Sequence, residues 1–229
     1  MFGQVIKDYS NVSPDAWNPL KSDLELWHRL RLFFEMKQAF QFLPKPLDQM
    51  RVLDIGCGVG RSTRALLEFG FSPENLVGVD ILKDVIDNAK KLNPGIKFVF
   101  IETLDDFYRL GDFDLCCQCT VFSSIKDQGE RRTLAETMTA SLNEDGYIFW
   151  WDRRHANDFA GGDVLLPEKY FQGLKLLYKA EVPLKWEPRR CIRPLRGLRR
   201  FIVPLVDRIG YPATHVAALF RGNTKGIDE

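Results

Sequence analysis

The sequence predicts one α/β domain, in which a mostly parallel sheet carries helices on both faces. Short apolar segments that fit buried parallel strands alternate with helical segments along the chain. A glycine-rich turn at 56–60 joins the first of these strands, 52–55, to a helix predicted at 61–68. The N–H groups at the start of such a helix favour a bound negative group. The 229 residues suit one domain with a sizeable core, so we expect a single domain over 1–229.

Composition sets broad limits on the class of protein. The apolar runs are shorter than the ~18–20 residues that span a bilayer, and the N-terminus lacks a signal peptide's pattern. Five cysteines without a spaced framework indicate a reducing compartment, so we expect a cytoplasmic protein. Residues 1–150 carry 17 Lys and Arg against 22 Asp and Glu, and residues 151–229 carry 15 against 9. The basic excess lies mainly in 185–200.

The turn after the first strand has a defined glycine spacing. It reads D-x-G-x-G-x-G from Asp54 to Gly60, whereas a dinucleotide fingerprint would place its third glycine at Arg61. Glycine at alternate positions lets a ligand approach the backbone without meeting a Cβ. This turn resembles motif I of the class I S-adenosylmethionine methyltransferases.

The resemblance continues through four more strands in the order that this family has. These are the segments ending at Asp80 and Glu102, the strand at 113–118, and the turn and strand at 142–152. It implies a Rossmann-like fold of seven strands, mostly parallel and with the last antiparallel. Helices are predicted at 18–42, 61–68, 83–92 and 131–142, with a short one at 167–172, and the last two strands at 174–182 and 215–221.

The same resemblance implies S-adenosylmethionine as cofactor. Asp80 would accept hydrogen bonds from the ribose hydroxyls, and Ile81 would pack on the adenine. Glu102 would accept a hydrogen bond from the exocyclic amine of the adenine. The alternative is that Glu102 is simply exposed to solvent at the end of its strand. The expected cofactor-binding residues are Asp54, Gly56, Cys57, Gly58, Gly60, Asp80, Ile81, Glu102, Thr103, Leu104, Gln118 and Cys119.

The cysteines do not predict a metal site. Neighbouring side chains on a strand face opposite ways, so Cys116 and Cys117 cannot bind one ion, and no C-x-x-C is present. Cys119 follows Gln118 rather than the proline of pyrimidine-C5 methyltransferases, and the D/N-P-P-Y signature of nucleic-acid base methylation is missing. We therefore expect no nucleic-acid partner. The loop carboxylates Asp152, Asp158 and Asp163 could supply oxygen ligands for Mg²⁺, but such carboxylates are usually just solvated.

Two segments are expected to cover the site. The N-terminal part, 1–45, is predicted to be a helical lid, with Tyr9 and Trp17 either facing the site or packing on the domain. The basic insert at 183–214 lies between the last two strands, on the substrate side. Its arginines at 185–200 fit an anionic membrane or a phosphorylated, lipid-linked glycan, or else a solvated surface.

The expected general base lies in the loop after the fifth strand. His155 follows Asp152 by three residues, and either of them is a candidate to take a proton from the acceptor. An ordinary polar role for His155 is the alternative. We expect His28 to be exposed on its helix and His215 to make a structural hydrogen bond.

The acceptor is inferred from a narrower resemblance. Trp150, Trp151 and Asp152, with Asn157, resemble a stretch found in bacterial methyltransferases linked to lipopolysaccharide and other glycans, although an Asn-Pro is missing. This implies methyl transfer to a hydroxyl of a sugar or glycan intermediate. The alternatives are a small-molecule O- or N-methyltransferase and a non-catalytic cofactor-binding protein. The sequence does not determine the oligomeric state.

Overall fold

A computed structural model describes residues 23–44, 46–155, 163–183 and 213–222. Within these ranges the chain forms seven strands and six α-helices. The strands are β1 Val52–Ile55, β2 Leu76–Asp80, β3 Lys97–Phe100, β4 Phe113–Cys119, β5 Leu142–Arg153, β6 Lys175–Val182 and β7 His215–Arg221. The helices are α1 Asp23–Phe40, α2 Arg61–Leu67, α3 Lys83–Leu92, α4 Leu104–Tyr108, α5 Gln128–Ala140 and α6 Pro167–Tyr170.

All seven strands belong to one sheet, in the order β3-β2-β1-β4-β5-β7-β6. Strands β1 to β5 pair in parallel, whereas β7 runs antiparallel to both of its neighbours, β5 and β6. The predicted seven-stranded sheet with an antiparallel last strand is therefore confirmed. The chain builds the sheet outward from β1, first towards β2 and β3 on one side and then towards β4 and β5 on the other. Ligands of open α/β sheets bind beside such a reversal of direction, at the carboxyl ends of the strands.

Both faces of the sheet are covered, which explains the continuous apolar runs in its central strands. Val52 packs in one core cluster with α1, α2 and α3, and its neighbour Leu53 packs in the opposite cluster with α4 and α5. Trp151 packs in the same cluster as Val52, and Trp150 packs in the same cluster as Leu53. Neither tryptophan is exposed. Side chains of adjacent strand residues point to opposite faces, so both must be apolar when each face carries helices.

Some element bounds differ from the prediction. Strand β3 ends at Phe100 rather than Glu102, and the unpredicted helix α4 follows it. The carboxylate of Asp106 caps that helix, because it accepts the N–H of Thr103 at 2.8 Å. Helix α5 begins three residues earlier than predicted, where Asp127 accepts the N–H of Glu130 at 2.9 Å.

Helix α1 is fixed to the sheet by a buried polar contact. Glu35 is 1% exposed and accepts hydrogen bonds from Arg31, at 2.9 Å, and from the hydroxyl of Tyr178 on β6. One turn further along, the ring of Phe40 meets Phe149 of β5 edge-on, at 5.3 Å between centroids. These contacts set the direction of α1, so that its first half lies beside the glycine turn.

Two predicted covering segments lie mostly outside the described residues. These are the part of the lid before residue 23, with Tyr9 and Trp17, and the basic insert beyond residue 183. Their roles stay predictions.

Among the described helices, none is long and apolar enough to cross a membrane.

Candidate functional site

A cavity of about 1120 Å³ opens at the carboxyl ends of β1, β2 and β4. The glycine turn forms its floor, and the first half of α1 forms one wall. Its volume exceeds the upper end of the usual range for small-molecule sites, roughly 300–1,000 Å³. The cavity therefore has room for a cofactor and a second small molecule together.

The three glycines of the turn all have positive φ, at 64°, 55° and 80° for Gly56, Gly58 and Gly60. A Cβ on Gly56 would lie 2.4 Å from Val121, and one on Gly60 would lie 2.7 Å from the ring of Phe98. These two glycines are therefore required by the packing of the protein itself. A Cβ on Gly58 would have no atom within 4 Å, and this residue lines the cavity. The open space at Gly58 is thus space for a ligand.

Asp80 ends β2 beside this turn and lines the cavity. One of its carboxylate oxygens accepts the N–H of Gly58 and the other that of Leu82, both at 3.0 Å. Burial raises the pKa of Asp80. A carboxylate held rigidly at the end of the second strand retains further lone pairs for ligand hydroxyls. Ile81 lies next to it in the cavity wall, as does Cys57 of the turn, so these predicted residues are brought together.

Asp54 lies behind the turn rather than in the cavity wall. It is 1% exposed, and one oxygen accepts the hydroxyls of Ser62 at 2.7 Å and Thr63 at 2.6 Å. Its other oxygen is buried without a hydrogen-bond partner among the described residues. Burial raises the pKa of Asp54 to about 6. The residue joins β1 to the start of α2, and any contact of Asp54 with the cofactor stays a prediction.

The segment after β3 corrects part of the prediction. Glu102 and Thr103 are exposed, and both of their N–H groups donate to Asp106, at 3.0 and 2.8 Å. The Thr103 amide is therefore engaged in capping α4, and its contact with the cofactor stays a prediction. The cavity wall here is formed by Ile101 and Phe107, and Glu102, Thr103 and Leu104 do not line it. The reason is that β3 ends two residues early and the chain turns at once into α4.

At the end of β4, one of the two predicted cofactor-binding residues lines the cavity and the other does not. Cys119 lines the cavity, and burial raises the pKa of its thiol, so the sulfur is neutral. Gln118 points away into the core, where its side-chain oxygen accepts the N–H of Val121 at 3.1 Å. Thr120 follows with φ of +63°, a strained conformation for a β-branched residue, and lines the cavity.

The predicted bases do not face the cavity. Asp152 has no exposed surface, and it accepts the N–H groups of Phe122 at 2.9 Å and Ser123 at 3.3 Å. Burial raises its pKa to about 6, and its contacts hold the turn after β4. His155 is exposed and pairs with Val164 in an isolated β-bridge. Neither side chain lines the cavity, so the described geometry does not support either of them as the general base, and that role stays a prediction.

A histidine that the sequence analysis did not propose for the site lines the cavity instead. His28, expected to be exposed, is half-buried, and its Nε2 accepts the indole N–H of Trp151 at 3.1 Å. The ring of His215 stacks on Trp151 at 5.2 Å and meets His28 at 5.2 Å. Burial lowers the pKa of His28, and the cationic Arg153, Arg61 and Arg29 lower it further while Glu25 raises it. The pKa of His215 falls to about 3 through burial, and its Nδ1 lies 3.0 Å from the Thr214 hydroxyl, as the sequence led us to expect.

Charged residues close the cavity between α1 and α2. Glu25 is 8% exposed and accepts hydrogen bonds from Arg29 and from Arg61, each at 2.9 Å. Burial lowers the pKa of Arg61. The ion pair with Arg61 links the first turn of α2 to the helix that covers it.

The described residues contain no group of three or more metal-binding side chains. Of the loop carboxylates considered for Mg²⁺, Asp163 instead accepts a hydrogen bond from the buried Arg131 at 3.0 Å. Asp158 lies outside the described residues.

Comparisons with known proteins agree with this geometry. Residues 52–146 match the model of a methyltransferase domain. An uncharacterised protein of Rickettsia prowazekii is 33% identical over 121 residues, which are 49% of this chain and 46% of that protein. The mitochondrial ubiquinone biosynthesis O-methyltransferase of Dictyostelium discoideum is 28% identical over 142 residues, 51% of this chain and 43% of that protein. The chain thus spans less than half the length of these relatives.

Solved structures share the fold. The N-methyltransferase NodS of Bradyrhizobium japonicum, in complex with S-adenosylhomocysteine, superposes with a TM-score of 0.64 at 18% identity, over 92% of this chain and 93% of NodS. A TehB-like S-adenosylmethionine-dependent methyltransferase of Corynebacterium glutamicum gives 0.54 at 19% identity, over 90% and 100%. The chain therefore has the fold of S-adenosylmethionine-dependent methyltransferases. Its open space at Gly58, beside the carboxylate of Asp80, fits that cofactor.

Proposed function

We propose that the protein is a methyltransferase that moves the methyl group of S-adenosylmethionine to a hydroxyl oxygen of a small acceptor. The observation that carries this proposal is the open space at Gly58 next to the fixed carboxylate of Asp80, at the floor of a cavity of about 1120 Å³. The match of 52–146 to a methyltransferase domain supports it.

Bound S-adenosylmethionine would supply a methyl group activated on a sulfonium. Asp80 would hold the ribose hydroxyls, and the positive-φ backbone at Gly58 would let the cofactor lie against the peptide plane. The wall of α1 would hold the acceptor in line with the methyl carbon and sulfur. Positioning of this kind can lower a barrier by about 7–11 kcal/mol.

A sugar or glycan hydroxyl remains our first candidate for the acceptor, on the resemblance of the fifth-strand segment. A phenolic hydroxyl is the second candidate, and the cavity wall favours it. Of the bases in the described wall, His28 already accepts a hydrogen bond at Nε2 and Glu25 is paired with two arginines. Asp80 is assigned to the cofactor, and Glu68 lies at the far end of α2 from the glycine turn. A phenol, with a pKa near that of tyrosine at about 10, needs less help than a sugar alcohol to lose its proton.

The cofactor proposal is tested by calorimetry with S-adenosylhomocysteine. Asp80→Ala should weaken binding by about 1–3 kcal/mol, the range for hydrogen bonds to charged groups. Asp48→Ala, at an exposed carboxylate away from the cavity, is the matched control and should bind like the wild type. Equal affinity in the two variants would refute the role of Asp80.

The activity is tested by transfer of tritium from labelled S-adenosylmethionine to sugars, phenols and amines. Label in a sugar or a phenol chooses between the two candidates, and label only in an amine would contradict transfer to oxygen. Tight cofactor binding with no transfer to any acceptor would instead favour a non-catalytic cofactor-binding protein.

A further inference from the structure

Helix α1 carries large apolar side chains on two sides. On its inner side, Met36 and Phe40 are buried in a core cluster. On its outer side, five large apolar side chains are each 39% to 53% exposed, and we call them the outer stripe: Leu26, Trp27, Leu30, Phe33 and Phe34. A helix that is apolar all round is normally buried. Within the described part of the chain, the inner side of α1 meets this rule and the outer stripe does not.

The outer stripe is one continuous surface. At about 100° per residue, its five members lie within about 120° of the helix circumference. This is the width of the apolar face of an amphipathic helix. Phe33 also lines the cavity, so the outer stripe extends to the cavity wall.

The charges of α1 are distributed unevenly around the outer stripe. The carboxylates of Glu25 and Glu35 are buried, and each accepts a hydrogen bond from an arginine of the same helix. Arg31 borders the outer stripe with 35% of its side chain exposed, and its guanidinium lies 5.3 Å from the ring centre of Phe34. Lys37 is exposed at the C-terminal end of the stripe. Of the charged α1 side chains that the structure describes, those that face solvent are therefore cations.

Apolar side chains bordered by cations match the surface of an anionic bilayer. Leucine and aromatic side chains enter the boundary of the acyl chains, and Lys and Arg are attracted to anionic headgroups. A second copy of this chain fits less well, because a twofold contact across the stripe would bring the like charges of Arg31 and Lys37 together. The sequence beyond β6 favours the same partner. Residues 184–212 carry eight Lys and Arg against two Asp and Glu, and they rejoin the described chain near His215, whose ring meets that of His28 on α1.

We propose that the outer stripe of α1 binds the surface of an anionic membrane, with the helix lying in the plane of the interface. The inner side keeps its contacts with the core in this orientation. Because Phe33 belongs both to the outer stripe and to the cavity wall, the cavity would open next to the bilayer. This inference concerns attachment of the protein and does not depend on the proposed function.

Co-sedimentation of the full chain with vesicles tests the inference. The wild type should bind vesicles of three parts phosphatidylcholine to one part phosphatidylglycerol more tightly than vesicles of phosphatidylcholine alone. The double substitution Trp27→Ser with Leu30→Ser should weaken binding to the anionic vesicles at least about tenfold, because two half-exposed apolar side chains no longer enter the bilayer. Lys37→Gln should weaken it about fivefold, the worth of one cation near an anionic surface.

Matched controls lie on other helices. Leu92 on α3 and Tyr108 on α4 are 61% and 57% exposed, so Leu92→Ser with Tyr108→Ser removes a similar pair of side chains away from the outer stripe. Lys91→Gln on α3 is the control for the lost charge. Both controls should bind the anionic vesicles like the wild type. Urea midpoints of all variants should stay close to that of the wild type, because the replaced side chains are on the surface.

The vesicle measurements can contradict the inference in three ways. The wild type could fail to sediment with the anionic vesicles, or it could bind both kinds of vesicle equally. The double substitution in the outer stripe could bind like its matched control, which would assign membrane binding to another part of the chain.

Two measurements without vesicles test the other occupants of the outer stripe. Sedimentation velocity should give the same mass for the wild type and the double substitution, and a wild-type dimer that the substitution dissociates would assign the stripe to a second copy. Hydrogen exchange of the amides in 1–22 should be the same in both proteins, and a loss of protection would assign the stripe to that segment. None of these measurements uses the cofactor or an acceptor, so their failure leaves the proposed function unaffected.

Discussion

The buried carboxylate of Asp54 should cost the protein stability at neutral pH. Asp54 is 1% exposed and has one oxygen without a partner among the described residues. Asp54→Asn keeps the shape and an oxygen that can accept the hydroxyls of Ser62 and Thr63, but removes the charge. We therefore expect this substitution to stabilise the cofactor-free protein at pH 7.5.

The magnitude follows from the pKa of Asp54, which burial raises from 3.8 to about 6. A raised carboxyl pKa favours the folded state while the group is protonated, so its contribution is fully present below about pH 4 and is lost as the pH rises through 6. At pH 7.5 the ionised group costs on the order of 3 kcal/mol, and at pH 5 about half of that. For a chain of this size, 3 kcal/mol corresponds to a Tm increase of roughly 6–12 °C.

Urea unfolding of Asp54→Asn at pH 7.5 and pH 5 measures this cost directly. Any effect of the amide that does not depend on pH cancels when the two stability differences are subtracted, and the remainder should be about 1.4 kcal/mol. Asp112→Asn, at an exposed carboxylate, is the control and should show no such difference. A stability gain that is equal at both pH values, or a loss that is larger at pH 7.5, would refute the reasoning about the buried charge.

Two other predictions concern the glycine turn and the anchor of α1. Gly56→Ala should lower the free energy of unfolding in urea by at least about 1–2 kcal/mol. The added Cβ would lie 2.4 Å from Val121, and the backbone at this position has a φ of +64°. Gly58→Ala should cost only the backbone strain of about 1 kcal/mol, because its Cβ would meet no protein atom, yet it should weaken S-adenosylhomocysteine binding at least tenfold. Equal stability losses in Gly56→Ala and Gly58→Ala would contradict the assignment of Gly56 to packing and of Gly58 to ligand binding. Tyr178→Phe should cost about 1–3 kcal/mol of unfolding free energy by leaving the buried Glu35 with one partner fewer, and an unchanged urea midpoint would show that this contact does not anchor α1.

The sequence determined the sheet, the glycine turn and the carboxylate beside it. Each of these depends on a pattern within a few neighbouring residues: continuous apolar runs for strands covered on both faces, alternate glycines for a positive-φ turn, and Asp80 at the end of its strand. Local patterns of this kind need no knowledge of what packs above them.

Residues whose role depends on distant elements could be assigned only from the tertiary structure. His28 lines the cavity because Glu35 and Phe40 direct α1 across the sheet, which brings it to Trp151, 123 positions away in the chain. The sequence predicted that Asp152 would face the acceptor, yet the turn at 122–124 packs over it and buries it. Strand β3 ends earlier than predicted because the N–H groups of Glu102 and Thr103 cap α4 through Asp106 and are not available to the strand. In the first two cases a contact between separate elements decided where a side chain points, and such contacts leave no local pattern in the sequence. The capping of α4 is instead a local signal, Thr103 followed three residues later by Asp106, which the sequence analysis missed.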